Sequence, residues 1–274
     1  MTTKKQSALN TLKIRKNKIK KGATPLQMLT CYDYQTARML NETDVDLLLV
    51  GDSVGNVVLG YETTVQVTID EMKIFSAAVK RGAPNKFIVA DLPFGTYATV
   101  DDGIKNAIEL FQYSKAEAIK LEGAYPHHLE LIQRLTQTGI PVMGHLGLTP
   151  QSVYELGGYY MHGKTDKSAK KLVQEAIALQ EAGCFSIVLE CVSSDLATKI
   201  TEMLDIPTIG IGAGELTDGQ VLVINDLLHL GPERPPKFCQ PVANLFELKK
   251  SLIQDYLKSR IAPFIEEQPP LPLQ

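Results

Sequence analysis

The chain has 274 residues, of which 44% are apolar and 22% are charged, so it can bury the core of one or two domains. Its net charge of −3, and the lack of interleaved basic and aromatic residues, give no reason to expect nucleic acid or an anionic membrane as a partner. No run of about 18 apolar residues is present, which argues against a spanning helix. We therefore expect a small-molecule substrate.

Four scattered cysteines, Cys31, Cys184, Cys191 and Cys239, form no C-x-x-C pair. Because we also find no secretory signal, a disulfide framework and a structural zinc site are not expected. We expect the thiols to be reduced and the protein to be cytoplasmic.

The first 22 residues form a block of basic charge that is interrupted by Leu9, Leu12, Ile14 and Ile19. A basic arm of this kind can bind RNA or direct targeting. The interspersed apolar residues favour a different interpretation, a solvated helix that covers one end of the fold. We treat residues 1–22 as a cap segment.

Eight apolar, strand-like runs alternate with longer segments of helical period, a pattern typical of a parallel sheet with right-handed crossovers. The seventh and eighth runs lie close together, so a seven-stranded open sheet competes with a closed eight-stranded barrel. The runs span residues 26–31, 46–51, 86–91, 117–122, 140–146, 184–190, 206–211 and 220–226.

Helix boundary signals agree with this alternation. Thr68 and Asp70 begin one helical segment, and Asp101 with the following acid begins another. Gly82 and Gly139 stand where helices should end. Helices are thus predicted between the strands.

The composition changes after residue 231. Residues 231–241 read GPERPPKFCQP, which predicts a loop, and residues 244–264 have a helical pattern followed by a proline-rich tail. We expect a single domain over residues 1–274 with residues 232–274 as a C-terminal appendage. Its helix packs either on a neighbouring subunit or back on its own barrel.

Acidic residues end three of the apolar runs. Asp52 follows LLLVG, Asp91 ends FIVAD, and Glu122 ends AIKLE. The carboxyl ends of parallel strands carry the chemistry of α/β folds, and paired carboxylates suit Mg²⁺ with retained waters. The alternative for each aspartate is an N-cap of the next helix. The third carboxylate favours the metal site.

Lys120 and Glu122 are two residues apart on one strand, so they point to the same side of the sheet. In a barrel that side is the interior, whereas on a surface edge strand the two charges would need no explanation. The apolar neighbours Ile119 and Leu121 favour a central strand. Lys120 would then neutralise a substrate carboxylate.

Glu190 ends the run SIVLE and is a candidate general base, with a salt-bridged structural glutamate as the alternative. Ser53 can donate a hydrogen bond to a carboxylate, although serine in such a turn is often structural. His145 also falls at a strand end, where a satisfied core histidine is the more usual role. The segment IGIGAGE lacks the G-x-G-x-x-G spacing of a dinucleotide site.

Several strings together resemble the ketopantoate hydroxymethyltransferase family: TCYDYQTARM, LLLVGDSVGNVVLGYETT, VADLPFGTY, IKLEGA, GHLGLTPQS, EAGCFSIVLECV and IPTIGIGAGELTDGQVLV. They occur in order between about residues 26 and 231. The resemblance implies a (β/α)₈ TIM barrel of the phosphoenolpyruvate/pyruvate type, here with an N-terminal cap helix and a C-terminal helical tail. It also implies Mg²⁺ dependence and a homo-oligomer, a homodecamer in many bacterial members.

The resemblance also implies roles for individual residues. Asp52 and Asp91 correspond to the direct Mg²⁺ ligands, and Glu122 to a third carboxylate of the metal site, which binds either directly or through water. Glu190 corresponds to the catalytic proton acceptor. The residues implied to bind the 2-oxoacid substrate are Asp52, Ser53, Asp91 and Lys120.

The reaction implied by the resemblance transfers a hydroxymethyl group from 5,10-methylenetetrahydrofolate to 3-methyl-2-oxobutanoate. Its products are 2-dehydropantoate and tetrahydrofolate, formed through a Mg²⁺-assisted enolate in the pathway to pantothenate and coenzyme A. The residues that contact the folate cosubstrate stay unassigned.

Two other functions compete with this interpretation. A Mg²⁺-dependent 2-oxoacid lyase or mutase on the same barrel would be expected to carry a reactive cysteine in a mobile loop, and none of the four cysteines lies in such a segment. A catalytically silent barrel would be expected to lack at least one of Asp52, Asp91, Lys120 and Glu190. The segment 159–169 differs from the usual family wording, which leaves loop closure and folate contact open.

Overall fold

A computed structural model describes residues 10–16, 18, 24–158 and 160–266. In this part of the chain, eight parallel strands close into a barrel in sequential order. Closure is direct, because Leu26 of the first strand pairs with Gly219 of the last. The closed barrel is therefore confirmed over the open sheet. The strands are β1 (Leu26–Thr30), β2 (Leu47–Val50), β3 (Phe87–Asp91), β4 (Ala118–Glu122), β5 (Val142–Gly147), β6 (Ser186–Glu190), β7 (Thr208–Ile211) and β8 (Gly219–Leu222).

Helices alternate with the strands along the chain from β1 to β7, as the alternating pattern predicted. Short 3₁₀ or π turns at Gly55–Leu59, Thr64–Gln66 and Pro150–Ser152 occupy loops that follow β2 and β5. The α-helices are α1 (Thr11–Lys16), α2 (Tyr34–Asn41), α3 (Ile69–Gly82), α4 (Val100–Ser114), α5 (Pro126–Gln137), α6 (Val153–Leu156), α7 (Asp166–Ala182), α8 (Ser194–Met203), α9 (Ile224–Leu228) and α10 (Leu245–Glu266).

Helix caps match the sequence signals with one shift. Thr68 caps α3 and forms a reciprocal capping box with Glu71. The cap of α4 is Thr99, which accepts a hydrogen bond from the backbone of Asp102, so this helix begins earlier than the acidic pair predicted. The two acidic residues lie in its first turn, where their negative charge interacts favourably with the helix dipole.

The eighth strand was predicted too long. The apolar run 220–226 was assigned wholly to a strand, but β8 ends at Leu222 and α9 begins at Ile224. Continuous apolar runs do not distinguish a buried strand from a buried helix, so the sequence pattern could not locate this change. The short connection expected between β7 and β8 is present.

The cap prediction holds for the residues of the first segment that the structure describes. Ile14 of α1 is fully buried in the core cluster that includes Leu26, Phe87 and Phe185. The rings of Phe87 and Phe185 meet edge to face with centroids 5.7 Å apart. Lys18 Nζ donates to Thr201 O at 2.8 Å. Thus α1 closes the end of the barrel opposite to the strand carboxyl ends, and residues 1–9, 17 and 19–22 lie outside the described residues.

A second compact unit begins at Ile224, whereas the first ends at Val223. Within it, Val242 N donates to Leu227 O and Phe246 N donates to His229 O, each at 2.9 Å. The predicted loop and helix are both present. None of the helices in the described ranges is long and apolar enough to cross a membrane.

The contribution of α1 to stability can be measured with a matched pair of substitutions. Ile14 is 0% exposed and Leu12, on the same helix, is 67% exposed. Ile14→Ala should lower the free energy of unfolding by about 2–5 kcal/mol because it leaves a cavity in the core. Leu12→Ala should change it by less than about 0.5 kcal/mol. Urea unfolding followed by circular dichroism measures both; equal effects would contradict the burial of α1 in the barrel.

Candidate active site

One pocket of about 140 Å³ lies at the carboxyl ends of the strands. Every candidate residue that the sequence singled out lines it, together with His145. The candidates lie at or just beyond the carboxyl ends of β2, β3, β4 and β6, so the fold brings them together from distant parts of the chain. They are Asp52, Ser53, Asp91, Lys120, Glu122 and Glu190.

The register of the parallel strands fixes which of these residues are neighbours. Asp91 pairs with Lys120 across β3 and β4, and Glu122 pairs with His145 across β4 and β5. Lys120 and Glu122 are 3% and 4% exposed on a strand with partners on both sides. The edge-strand explanation for their charges is therefore excluded.

Both polar contacts of the Asp91 carboxylate are made by one of its two oxygens. Lys120 Nζ lies 3.0 Å from Asp91 Oδ2, and the backbone N–H of Asp52 donates to the same atom at 3.2 Å. The other oxygen, Asp91 Oδ1, is buried and has no hydrogen-bond partner among the described residues. A buried carboxylate oxygen without a partner is unfavourable unless something else binds it.

Asp52 lies beside Asp91 and is buried with it. Gln151 Nε2 donates to Asp52 Oδ2 at 2.7 Å. Burial raises the pKa of Asp52, and repulsion from Asp91 and Glu122 raises it further. Burial also raises the pKa of Asp91, although Lys120 opposes this. Ionisation of both aspartates is therefore unfavourable by itself, and a bound cation would stabilise their ionised forms.

Neither aspartate begins the helix that follows its strand. The helix after β2 is capped by Thr68, and the helix after β3 is capped by Thr99. The N-cap explanation for Asp52 and Asp91 is therefore not supported. The Asp91 side chain instead contacts Lys120 and the backbone N–H of Asp52, and the Asp52 side chain accepts from Gln151.

His145 bridges two carboxylates. Its Nδ1 lies 3.3 Å from Glu122 Oε1, and its Nε2 lies 3.2 Å from Glu190 Oε2. Burial lowers the pKa of His145, but the two glutamates outweigh burial and raise it to about 9. The imidazole is therefore cationic at neutral pH. Lys120 Nζ is 3.4 Å from Nδ1, and because both groups are then donors we assign the Nδ1 proton to Glu122.

Lys120 also carries a positive charge. Burial alone would lower its pKa, but Asp91, Glu122 and Asp52 outweigh burial and raise it. Four carboxylates thus face two cations in the pocket, Lys120 and His145. If all four ionise, two negative charges remain uncompensated, which is costly at this depth unless a further cation binds.

The sequence did not single out Gln151, which lies in the turn Pro150–Ser152 after β5. Besides the bond to Asp52, its Nε2 donates to Leu92 O at 2.9 Å and its backbone N–H donates to Glu122 Oε2 at 3.1 Å. Its Oε1 accepts from the hydroxyl of Tyr97. One neutral residue therefore contacts two of the carboxylates, Asp52 through its side chain and Glu122 through its backbone N–H.

Two further contacts were not evident from the sequence. Tyr32 and Ser53 share a hydrogen bond of 2.8 Å between their hydroxyl oxygens. His145, for which a core role was the more usual expectation, lies between Glu122 and Glu190 instead. The ending of its run at GHLG marked a strand end, but only the barrel register shows which carboxylates it meets.

Residues 9–261 match the family model for ketopantoate hydroxymethyltransferase. The chain belongs to the ketopantoate hydroxymethyltransferase family. Relatives named 3-methyl-2-oxobutanoate hydroxymethyltransferase share this assignment. That of Leptospira interrogans is 48% identical over 87% of this chain and 91% of its own length. That of Coxiella burnetii is 47% identical over 91% and 95%.

Solved structures with the same barrel are much more distant in sequence from this hydroxymethyltransferase. Phosphonopyruvate hydrolase in complex with oxalate and Mg²⁺ has a TM-score of 0.60 and 10% identity, covering 97% of this chain and 92% of that one. Phosphoenolpyruvate phosphomutase from Streptomyces platensis has a TM-score of 0.58 and 12% identity, covering 94% and 100%. These likenesses agree with the closed eight-stranded barrel and show nothing beyond the fold.

The environments of His145 and His128 shift their pKa values in opposite directions. His145 should titrate near its shifted pKa of about 9, whereas burial lowers the pKa of His128 to about 4. A histidine whose pKa is raised in the folded state stabilises the fold below the ordinary value of about 6.5, and that contribution is lost as the pH rises through the shifted value. NMR of histidine-labelled, metal-free protein between pH 5.5 and 10, with His145→Asn for assignment, should follow His145 through its titration and show His128 neutral throughout. A His145 signal that titrates near 6.5 would contradict the ion pairs.

Proposed function

We propose that this hydroxymethyltransferase takes its one-carbon unit from 5,10-methylenetetrahydrofolate and adds it to 3-methyl-2-oxobutanoate. The products are 2-dehydropantoate and tetrahydrofolate, and the reaction supplies pantothenate and coenzyme A. The names of the relatives support the acceptor. The observation that carries the proposal is the pocket itself, where a base, a lysine and two adjacent aspartates converge.

The residues present fit Mg²⁺. Asp52 and Asp91 offer hard oxygen atoms, and Asp91 Oδ1 is buried without a partner among the described residues. Both oxygens of Glu122 already have partners, His145 Nδ1 and Gln151 N, so Glu122 would contact the ion through water and not directly. Mg²⁺ usually takes only one or two carboxylates, and no cage of three or more His, Cys, Asp and Glu side chains occurs in the described ranges. When bound, the ion supplies positive charge for an oxyanion on the substrate.

Glu190 would accept the proton from C3 of the oxoacid. It ends β6 at the pocket, and its side chain is 18% exposed, so a substrate can reach it. The electrons of the C3–H bond move into the adjacent carbonyl, whose oxygen becomes negative, and the proton goes to the Glu190 carboxylate. Contact with His145, whose Nε2 lies 3.2 Å from Glu190 Oε2, holds the Glu190 side chain in place.

Lys120 and Ser53 would bind the carboxylate of the oxoacid. Lys120 is held in the pocket by Asp91, which fixes its ammonium group without neutralising the whole site. The Ser53 hydroxyl can donate to the substrate while it accepts from the Tyr32 hydroxyl. A cation and a hydroxyl in these positions orient the oxoacid with C3 toward the base.

We further propose that the protein is a cytoplasmic homo-oligomer, and specifically a homodecamer. The apolar side chains of α10 support self-association, since those of Leu248, Leu252 and Ile253 are 52–60% exposed. Native mass spectrometry measures the number of subunits directly.

The proposed chemistry predicts that the C3 proton of 3-methyl-2-oxobutanoate exchanges with D₂O when protein and Mg²⁺ are present. Adding 5,10-methylenetetrahydrofolate should then give a hydroxymethyl resonance in the proton NMR spectrum. Glu190→Gln should slow exchange by about 10²–10⁴-fold because the base is lost. Glu202→Gln, an exposed glutamate on α8, is the matched control and should exchange like the parent. Full exchange in the Glu190 variant would overturn the role of this residue.

Loss of the Gln151 side chain should also slow exchange of the C3 proton. Gln151→Ala removes the donors that orient Asp52 and Leu92 O, and we expect exchange at subsaturating Mg²⁺ to slow by about 10–100-fold, as for other partners of metal ligands. Gln133→Ala, at an exposed position of α5, should have no effect. Parent-like exchange in Gln151→Ala would show that Asp52 holds its position without the Gln151 side chain.

A further inference from the structure

A second cavity, of about 440 Å³, lies beside the pocket described above. Glu122 lines both cavities. Gln151 also lines the larger cavity while its amide bonds Asp52 in the smaller one. A ligand in this side cavity is therefore separated from the proposed metal ligands by the thickness of one side chain.

The side cavity offers exposed aromatic faces to a ligand. Phe94, in the loop after β3, is 49% exposed, and Tyr125, which precedes α5, is 50% exposed. Both line the cavity. Large aromatic side chains that stay half exposed at the mouth of a barrel are suited to stack on a flat ring.

The opposite wall supplies a carboxylate. Glu175 of α7 lines the cavity, and its side chain is 24% exposed. Burial raises the pKa of Glu175, and Lys171, 3.5 Å away, opposes this only in part. Two adjacent N–H donors of a ligand would stabilise the ionised carboxylate by a bidentate pair of hydrogen bonds.

A histidine in the wall has a ring nitrogen without a partner among the described residues. His162 lines the cavity, and its Nε2 is buried with no hydrogen bond to any residue within the described ranges. Burial lowers the pKa of His162, so the ring is neutral at neutral pH and this nitrogen can serve a polar ligand atom. The cavity thus combines flat apolar faces with polar groups that are not yet satisfied.

We propose that the side cavity binds the bicyclic pterin ring of the one-carbon donor, with its amino-pyrimidine edge on the Glu175 carboxylate and its face against Phe94. This inference rests on the proposed function, since it takes the donor to be a reduced folate. The volume is sufficient for the ring and for the start of the tail, and the tail extends toward solvent. The position at the shared wall brings the one-carbon unit to the edge of the oxoacid pocket.

The test compares two reactions of the same protein. Exchange of the C3 proton needs no folate, whereas hydroxymethyl transfer does. In Glu175→Gln and in Phe94→Leu we expect the ratio of transfer rate to exchange rate, at subsaturating 5,10-methylenetetrahydrofolate, to fall at least about tenfold. Calorimetric titration with tetrahydrofolate and with 6-methyltetrahydropterin should show binding weakened by a similar factor. Glu181→Gln, an exposed glutamate on the same helix, is the control and should match the parent in both measurements.

Parent-like ratios and parent-like tetrahydrofolate binding in both variants would overturn the placement of the ring. Weaker binding of tetrahydrofolate with unchanged binding of 6-methyltetrahydropterin would also overturn it, because the cavity would then hold the tail. If the parent shows no exchange, the proposed function fails, and the two calorimetric titrations decide the cavity independently.

Discussion

Closure of the parallel barrel is the constraint on which the site depends. It brings the carboxyl ends of β2, β3, β4 and β6 to one opening, and each of these strands carries an acid at or just beyond its end. Apolar burial drives closure, so the carboxylates are brought together whether or not they repel one another. The result is a small pocket in which four carboxyl groups meet two cationic side chains, Lys120 and His145. A further cation is the simplest way to stabilise such an arrangement.

The remaining contacts serve to hold these charges in fixed positions. Lys120 and His145 each contact carboxylates on neighbouring strands, and Gln151 binds two carboxylates without adding charge. A neutral amide suits this task, because its donors orient Asp52 while leaving the excess of negative charge intact. The same residue borders the side cavity, so the oxoacid pocket and the proposed pterin site share one wall.

The sequence predicted the strands and the acidic residues at their ends, because long apolar runs and charged terminations are local patterns. It missed the end of β8, where an apolar run continues from Leu222 into α9 without a local signal. It also missed Gln151, since an uncharged residue in a loop has no pattern of its own and its partner Asp52 is 99 positions away. For His145 the strand end was visible, but its two glutamate partners depend on register across three strands. Barrel register is a tertiary property that periodicity does not specify.

The central claim, that Asp52 and Asp91 form a cation site, is tested most directly by titrating metal-free protein with Mn²⁺ and following the free ion by electron paramagnetic resonance. The account predicts one bound ion per chain, with affinity reduced by about tenfold or more in Asp91→Asn and unchanged in Asp101→Asn at an exposed position of α4. Because the readout is binding, it does not depend on the substrate or on folate. Absence of binding in the parent, or equal affinity in Asp91→Asn, would contradict the account.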